Sequence, residues 1–415
     1  SATRREQASQ HDATRREAVV PAHPAYTARP AGLFRGWHVV AGAFLVTLVG
    51  YGAIYSYSAF AEEIAATFDA SRAAVATVFV LSGSTCFFVS AISGALADRV
   101  GARPLAAAGM VLVGVGLAVA AAARTLIEVY VGYGLLVGLG CGFAYVPALA
   151  AVQRWFTTHR GLASGLAVSG VGVGIALVPT LSDVLAPLGD WRVTFLACGA
   201  LAVAVGLAGA ALLHPAPMRH VARPGEAAAR MVRSRGFAFA YLGTLLVSVT
   251  VTLPYALLVE TARDLGVPKH DAVALLGLIG LGSLAGRFLL AALADVVGRR
   301  ATFLGCCAGL AIGTAAWGVA ESLAVLQVFA VAFGALHGGL VALLPAVVAD
   351  RFGAGSVGGV LGTLYTSRGL AQIAAPPALA VGITLFEGHG LPLLLVAGLA
   401  LLGTMLLARM GRARG

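Results

Sequence analysis

Gly94-Ala-Leu-Ala-Asp98-Arg99-Val-Gly101-Ala-Arg103 is a stretch that the chain repeats in closely similar form. The second copy, Ala291-Ala-Leu-Ala-Asp295-Val-Val-Gly298-Arg299-Arg300, begins 197 residues after the first. The segments 147–156 and 345–352 form another related pair at a nearly equal distance. Repetition at one fixed distance indicates two structural units of the same kind. We therefore predict that the chain consists of two related halves.

Long apolar segments surround both copies of this stretch. Hydrophobic residues make up 59% of the chain and charged residues only 11%. A membrane hydrocarbon core of about 30 Å is crossed by roughly 20 helical residues. Segments of that length predict an all-α membrane protein with twelve transmembrane helices. We number these predicted spans one to twelve: 37–61, 74–97, 104–123, 126–152, 161–186, 192–213, 237–261, 272–294, 301–320, 322–349, 357–384 and 390–408.

The distribution of Lys and Arg predicts the orientation of these spans. With both termini in the cytoplasm, 21 of the 28 Lys and Arg residues lie on the cytoplasmic side, 5 lie outside and 2 lie within spans. Such a bias is typical of multi-pass proteins of the plasma (inner) membrane. The predicted domains are a disordered cytoplasmic tail (1–35), a six-helix bundle (36–213), a cytoplasmic linker (214–236), a second six-helix bundle (237–408) and a short cytoplasmic tail (409–415).

This distribution also bears on possible partners and cofactors. The formal net charge of +10 is spread over loops instead of forming one basic surface, so we predict no nucleic-acid partner. All five cysteines fall inside predicted spans without histidine ligands or a CxxC spacing, so we predict no metal and no cofactor. No grouping of nucleophile and base occurs in the spans, which argues against an enzyme. No obligatory protein partner is predicted, and the lipid bilayer is the expected surrounding.

Two arginines lie inside predicted spans, Arg287 in span eight and Arg368 in span eleven. A charged side chain at the centre of a membrane helix costs about 2.5 to 3.5 kcal/mol or more, so it is kept there for a partner. The 197-residue offset places Ser90 and Val171 at the equivalent positions of the first half. The cationic chemistry therefore belongs to the second half, and the guanidinium fork suits a carboxylate.

Polar side chains accompany the arginines at helical spacing. Ser283 lies one turn before Arg287, and residues three or four apart share a helix face. The other candidates are tyrosines, which combine an apolar ring with a hydroxyl that can orient an anion, and one glutamine. The predicted substrate-binding residues are Arg287, Arg368, Ser283, Gln372, Tyr55, Tyr133, Tyr145 and Tyr365.

Each of these assignments has an alternative. The arginines could form an internal ion pair with Asp183 in span five, or bond to helix carbonyls. The tyrosines could serve only packing between helices. Two further groups are candidates for proton coupling, Asp183 and His337 in span ten, although a single histidine in a bundle can also be a hydrogen-bonded structural residue.

The doubled Asp-Arg-x-Gly-x-Arg stretch resembles the conserved cytoplasmic loop of the major facilitator superfamily, and the resemblance extends from Gly36 onward. It implies two parallel six-helix repeats that rock about a central site. Gly101 and Gly298 permit tight turns, and Asp98 and Asp295 can cap helices or pair with Arg103 and Arg299. The predicted gate residues are Asp98, Arg99, Arg103, Asp295, Arg299 and Arg300. The alternative is that these charges only set solubility and orientation.

Further motifs resemble the monocarboxylate porter group. They are Gly36-Trp37 before span one and the segment 156–167 before span five. Gly286-Arg287-Phe288 and Tyr365-Thr-Ser-Arg368-Gly369 resemble the oxalate/formate antiporter branch, which binds carboxylates with an arginine in span eight and a lysine in span eleven. Arg287 and Arg368 correspond to these two residues. Proton-linked members carry a lysine and an aspartate where this chain has Tyr55 and Ser283, so a proton relay of that kind is not expected.

The resulting prediction is a secondary active transporter of small organic carboxylates, such as oxalate, formate, lactate or pyruvate, working by alternating access and anion exchange. A proton-coupled monocarboxylate symporter is the first alternative. Drug efflux is a weaker one, because an efflux site has less use for two fixed cations.

Overall fold

The computed structural model describes residues 35–185, 187, 189–216, 224–386 and 388–410. Each predicted span is a long helix in this part of the chain, and no strand occurs in it. We number the long helices α1 to α12, so that each carries the number of the span that predicted it. They are Gly36–Ala59, Arg72–Val100, Ala102–Ala121, Leu126–Trp155, Arg160–Leu185, Trp191–Leu212, Arg235–Asp264, Lys269–Val297, Arg299–Gly318, Leu323–Phe352, Val357–Leu385 and Gly390–Ala408.

Local sequence signals set several helix beginnings. The side chain of Ser71 accepts a hydrogen bond from the backbone of Ala74, and that of Ser234 accepts one from Phe237, as N-cap residues do. Among the described residues, eleven helices are long and apolar enough to cross a membrane. Helix α11 is not among them. It carries Arg368 and, near its far end, Pro376 and Pro377.

The repeat seen in the sequence is also present in space, at two equivalent crossings between the halves. A methyl group at Gly165 of α5 would lie 2.1 Å from the carbonyl oxygen of Arg287 in α8. A methyl group at Gly362 of α11 would lie 1.9 Å from the carbonyl oxygen of Ser90 in α2. Gly362 follows Gly165 by 197 positions, and Arg287 follows Ser90 by the same number. Only glycine permits such close backbone contact, which is typical of helix crossings in membranes.

The repeated stretches form the turns between α2 and α3 and between α8 and α9. Gly101 has a φ angle of 88° and Gly298 one of 115°, a region in which glycine is favoured over residues with a side chain. The tight turns predicted at these glycines are therefore confirmed. We call the end of the molecule that carries these two turns the motif side.

Parts of the predicted tails and linker cannot be compared with the structure. The predicted N-terminal tail (1–35) lies outside the described residues except for Arg35, as do residues 217–223 and 411–415. Within the predicted linker, Pro224–Val232 is a short helix, and its Ala228 is buried beside Gly359 at the start of α11. The two six-helix domains and their boundaries remain a prediction.

Candidate functional site

Arg287 of α8 is buried, with 5% of its surface exposed. Its Nη1 donates a hydrogen bond to the carbonyl oxygen of Val168 in α5 at 3.2 Å, while its Nε is buried without a partner. Among the described side chains, none offers Arg287 a carboxylate ion pair. The side chain of Asp183, the predicted alternative partner and proton-coupling candidate, lies outside the described part. Of the two alternatives considered for the arginines, bonding to a helix carbonyl is thus observed, and only for one nitrogen of Arg287.

Arg368 of α11 is half-buried beside two aromatic rings. Its guanidinium carbon lies 5.4 Å from the ring centre of Phe87 in α2 and 5.5 Å from that of Tyr365. The two rings are stacked on each other at 5.7 Å. Ring faces within about 6 Å attract a cation, which offsets part of its desolvation. Within the described residues Arg368, like Arg287, has no carboxylate ion pair.

A row of tyrosines connects the two halves beside these arginines. The ring of Tyr365 contacts that of Tyr145 in α4 at 5.7 Å, and Tyr145 contacts Tyr51 in α1 at 4.8 Å. Tyr51 in turn lies 6.4 Å from Tyr55, measured between ring centres. Both Tyr55 and Tyr145 lie within electrostatic range of the two arginines. Three of the four predicted tyrosines are therefore brought together with the predicted cations.

Tyr255 of α7 belongs to the same site although it was not predicted. Its hydroxyl lies 3.2 Å from Nδ1 of His337 in α10, and both residues are within electrostatic range of Arg287 and Arg368. Tyr255 is 45% exposed. We call the following residues the central cluster: Tyr51, Tyr55, Tyr145, Tyr255, Arg287, His337, Tyr365 and Arg368.

The predicted Gln372 and Ser283 lie at neighbouring helix contacts. A methyl group at Gly83 of α2 would lie 2.3 Å from Nε2 of Gln372, so the carboxamide lies against this glycine. Ser283 is buried, and its carbonyl oxygen packs closely against Gly338 of α10. Neither contact tests a role in substrate binding, which remains a prediction for both residues.

Tyr133 is not part of the central cluster, and its structural surroundings differ from the prediction. Its hydroxyl lies 3.0 Å from the Ser56 hydroxyl, accepts a hydrogen bond from the backbone N–H of Tyr57 at 2.9 Å and contacts the carbonyls of Ala53 and Ile54. These partners all belong to the last turns of α1. The alternative of a packing tyrosine with its hydroxyl bonded to backbone therefore describes Tyr133.

This difference gives a prediction for Tyr133→Phe. The substitution leaves buried partners in α1 unsatisfied, which costs about 1 to 3 kcal/mol of stability. We expect a lower melting temperature with an unchanged dissociation constant for the transported anion. Both can be measured on purified protein by thermal unfolding and by isothermal titration. A large loss of anion affinity without a loss of stability would return Tyr133 to the binding site.

On the motif side, Asp98 at the end of α2 joins the two halves. Its carboxylate accepts hydrogen bonds from the backbone N–H groups of Gly358 at 3.1 Å and Gly359 at 2.7 Å, at the start of α11. It also forms an ion pair with Arg154 of α4. The predicted pairing with Arg103 does not occur, because Arg103 is exposed on the other side of the turn, in the first residues of α3.

Asp295 makes the equivalent contact in the second half. It accepts hydrogen bonds from the N–H groups of Gly161 at 3.0 Å and Leu162 at 2.9 Å, at the start of α5, and lies 3.4 Å from Nε of Arg299. Carboxylates are stabilised at helix N-termini by free N–H groups. Both aspartates thus join the two halves on the motif side in this structure.

The remaining predicted gate residues have different surroundings. Arg299 and Arg160 both pair with Asp350 of α10, with 2.9 Å between Nη1 of Arg299 and the carboxylate. Arg300 donates a hydrogen bond to the carbonyl of Ala408 at the end of α12. Arg99 is exposed. Asp350 and Arg154 were not predicted, although each lies near the charged end of its span.

Known proteins resemble this chain over most of its length. The family model of the Major Facilitator Superfamily matches residues 43–255 and 240–414. Monocarboxylate transporter 13 of Bos taurus is 30% identical over 354 residues, which cover 84% of this chain and 81% of that protein. Monocarboxylate transporter 11 of Homo sapiens is 31% identical over 379 residues, covering 85% and 79%.

A solved structure supports the fold. The proton:xylose symporter XylE superposes with a TM-score of 0.70 at 15% sequence identity, over 90% of this chain and 95% of that chain. At this low sequence identity, the similarity shows the fold alone. The all-helical architecture and the family resemblance predicted from the repeated stretch are confirmed. The chain is a multi-pass integral membrane protein and a secondary transporter, not an enzyme, and it belongs to the monocarboxylate transporter group of the Major Facilitator Superfamily.

Proposed function

We propose that the protein exchanges small organic carboxylates across the plasma (inner) membrane by alternating access at the central cluster. In this proposal the motif side and both termini face the cytoplasm, as the distribution of Lys and Arg predicts. The compound carried is a mono- or dicarboxylate of the size of formate, lactate, pyruvate or oxalate. The relatives' name, monocarboxylate transporter, agrees with this class of substrate.

One observation carries the proposal: both guanidinium groups lie close enough to the same tyrosines and histidine to interact with them electrostatically, and no carboxylate among the described side chains pairs with either group. A planar guanidinium offers parallel N–H groups that match the two oxygens of a carboxylate. Two such groups, one on α8 and one on α11, suit a compact anion, and especially a dianion. The tyrosine rings leave the rest of the site mainly apolar.

Exchange follows from the charge of the empty site. Two cations that share a poorly hydrated space repel each other, and the repulsion grows as closure removes water. A bound carboxylate neutralises the pair and allows both sides to close around it. An empty carrier therefore returns slowly, while a loaded carrier crosses in either direction.

The experiment that tests exchange uses the purified protein in liposomes, without any partner protein. Labelled oxalate, formate, lactate or pyruvate is added outside, with the same unlabelled anion, an inert anion or no anion inside. We expect rapid uptake only into liposomes loaded with a transported carboxylate. Equally rapid net uptake into liposomes that hold no counter-anion and no proton gradient would contradict the proposal.

Proton-coupled symport is the second candidate, because His337 and Tyr255 form a hydrogen-bonded pair beside both arginines. A titratable group next to an anion site can take up a proton together with the anion. The same liposomes distinguish the two mechanisms. Symport predicts net uptake driven by an inward proton gradient and abolished by a protonophore, whereas exchange predicts uptake that follows the internal anion and ignores the gradient.

A further inference from the structure

The contact between Arg287 and α5 depends on one glycine. The carbonyl oxygen of Val168 is the ordinary helical partner of the N–H of Gly172, and its second lone pair is free to accept Nη1 of Arg287. A methyl group at Gly172 would lie 3.1 Å from that Nη1, closer than side-chain carbons normally approach. The absence of a side chain at Gly172 therefore leaves this carbonyl accessible to the guanidinium.

This hydrogen bond joins the two halves of the molecule. Arg287 lies in α8, while Val168 and Gly172 lie in α5, and the same two helices cross closely at Gly165 on the way to the motif side. At the equivalent crossing of α2 and α11, the equivalent of Gly172 is Gly369, which faces Phe87 and Phe88. Ser90 stands there at the position equivalent to Arg287. Arg287 thus has no counterpart at the equivalent position of the α2–α11 crossing, where the guanidinium of Arg368 instead lies beside the ring of Phe87.

We propose that Gly172 is a positioning residue, which allows Arg287 to bind the Val168 carbonyl in the empty carrier and so holds α5 and α8 together on the motif side. The proposal rests on the proposed carboxylate site. A carboxylate is a stronger acceptor for a guanidinium than a helix carbonyl that already accepts one hydrogen bond. An anion that binds Arg287 therefore competes with Val168. Binding in the site weakens the contact between the halves, and the motif side is released to open.

The unpartnered Nε supports this sequence of events. The bond to Val168 satisfies one donor of a group that has five, and it leaves a buried charged N–H without an acceptor. This geometry holds the guanidinium only while no stronger hydrogen-bond acceptor is present in the site. The contact therefore has the properties of a restraint that the substrate removes.

The test compares Gly172→Ala with the parent protein, using a cysteine in place of Ala291 as a reporter of motif-side opening. Ala291 is buried in α8 and faces Gly161 and Gly165 of α5. The five native cysteines are buried, so a polar maleimide should react with the reporter in preference to them. In purified protein without any carboxylate, the methyl group of Gly172→Ala displaces the guanidinium by a few tenths of an ångström and weakens its hydrogen bond. We therefore expect the labelling rate to rise by up to about tenfold, the change produced by complete loss of one hydrogen bond to a charged group. Adding substrate to Gly172→Ala should then raise the labelling rate only a little further.

Two controls separate the restraint from general loosening of the helices. Gly280→Ala makes the same chemical change in α8, at a position where a methyl group meets nothing within 4 Å, and should leave labelling unchanged. Introducing Gly172→Ala into Arg287→Ala should add nothing, because the donor is already gone. Equal labelling of Gly172→Ala and the parent overturns the proposal, as does an increase that persists without Arg287. Because these measurements use the empty protein, they stand even if the transported compound is not a carboxylate.

Discussion

Replacing Arg287 with alanine is expected to abolish the stabilisation that a transported carboxylate gives to the purified protein. The guanidinium supplies charge-assisted hydrogen bonds, and the loss of such a pair weakens binding roughly 100-fold. At a carboxylate concentration of 100 times the dissociation constant, the parent protein gains about 2.7 kcal/mol of stability, and the variant gains only about 0.4 kcal/mol. Thermal unfolding in a series of carboxylates measures this difference. Arg368→Ala is expected to behave in the same way.

The stability of the empty protein distinguishes a binding arginine from a structural one. Arg287 is buried with an unsatisfied Nε, so its removal should leave the melting temperature of the empty protein unchanged or raise it. An arginine neutralised within the fold would instead destabilise the protein when removed. Arg263→Ala, at an exposed site in the last turn of α7, is the matched control for the change in net charge. If Arg287→Ala still shows the full stabilisation by every carboxylate that stabilises the parent, the site lies elsewhere.

The two arginines could be predicted from the sequence alone, because a charged side chain inside a membrane span has a high free-energy cost. A permanently charged side chain within an apolar span cannot be explained by packing, so it indicates a site without any knowledge of its neighbours. Helical spacing then added Tyr365, which lies beside Arg368 as expected. The repeated Asp-Arg stretch similarly fixed the turns at Gly101 and Gly298, because only the local backbone is involved there.

Helical spacing was misleading for Tyr133. Tyr133 and Tyr145 are twelve residues apart, and at about 100° per residue this multiple of four leaves their side chains about 120° apart around the helix axis. The segment Tyr130–Val137, which contains Tyr133, is also a π-helix, so the regular spacing does not apply there. Tyr145 consequently faces Tyr51 and Tyr365, while Tyr133 faces the end of α1.

Contacts between helices far apart in the chain were not predictable from local patterns. The pairing of Asp98 with Arg154, and that of Arg287 with Val168, each join residues of different helices whose approach depends on how the bundle packs. Tyr255 gave a weaker signal. It follows Pro254 within α7, but nothing in that segment indicates that it faces His337.

Neutralising Asp98 is expected to have the largest effect on the conformational equilibrium. In Asp98→Asn, Arg154 loses its counter-charge, and the start of α11 loses a carboxylate acceptor for two N–H groups. Removing one member of a buried ion pair costs about 3 to 5 kcal/mol, and about 2 to 3 kcal/mol is more appropriate here because Arg154 is partly exposed. That cost applies only while the motif side is closed. The fraction of molecules with an open motif side should therefore rise on the order of 30-fold or more.

Labelling of a cysteine at position 291 measures this shift, and the exposed arginines of the same repeated stretch provide the controls. Arg99→Ala and Arg103→Ala change neighbouring charges that face solvent, so each should alter stability by no more than about 0.5 kcal/mol and labelling by about twofold. Anion affinity should change little in Asp98→Asn, since Asp98 is not part of the central cluster, whereas exchange in liposomes should slow because one state dominates. If Asp98→Asn labels no faster than the parent, or if Arg103→Ala labels as fast as Asp98→Asn, the charges of the repeated stretch set only solubility and orientation.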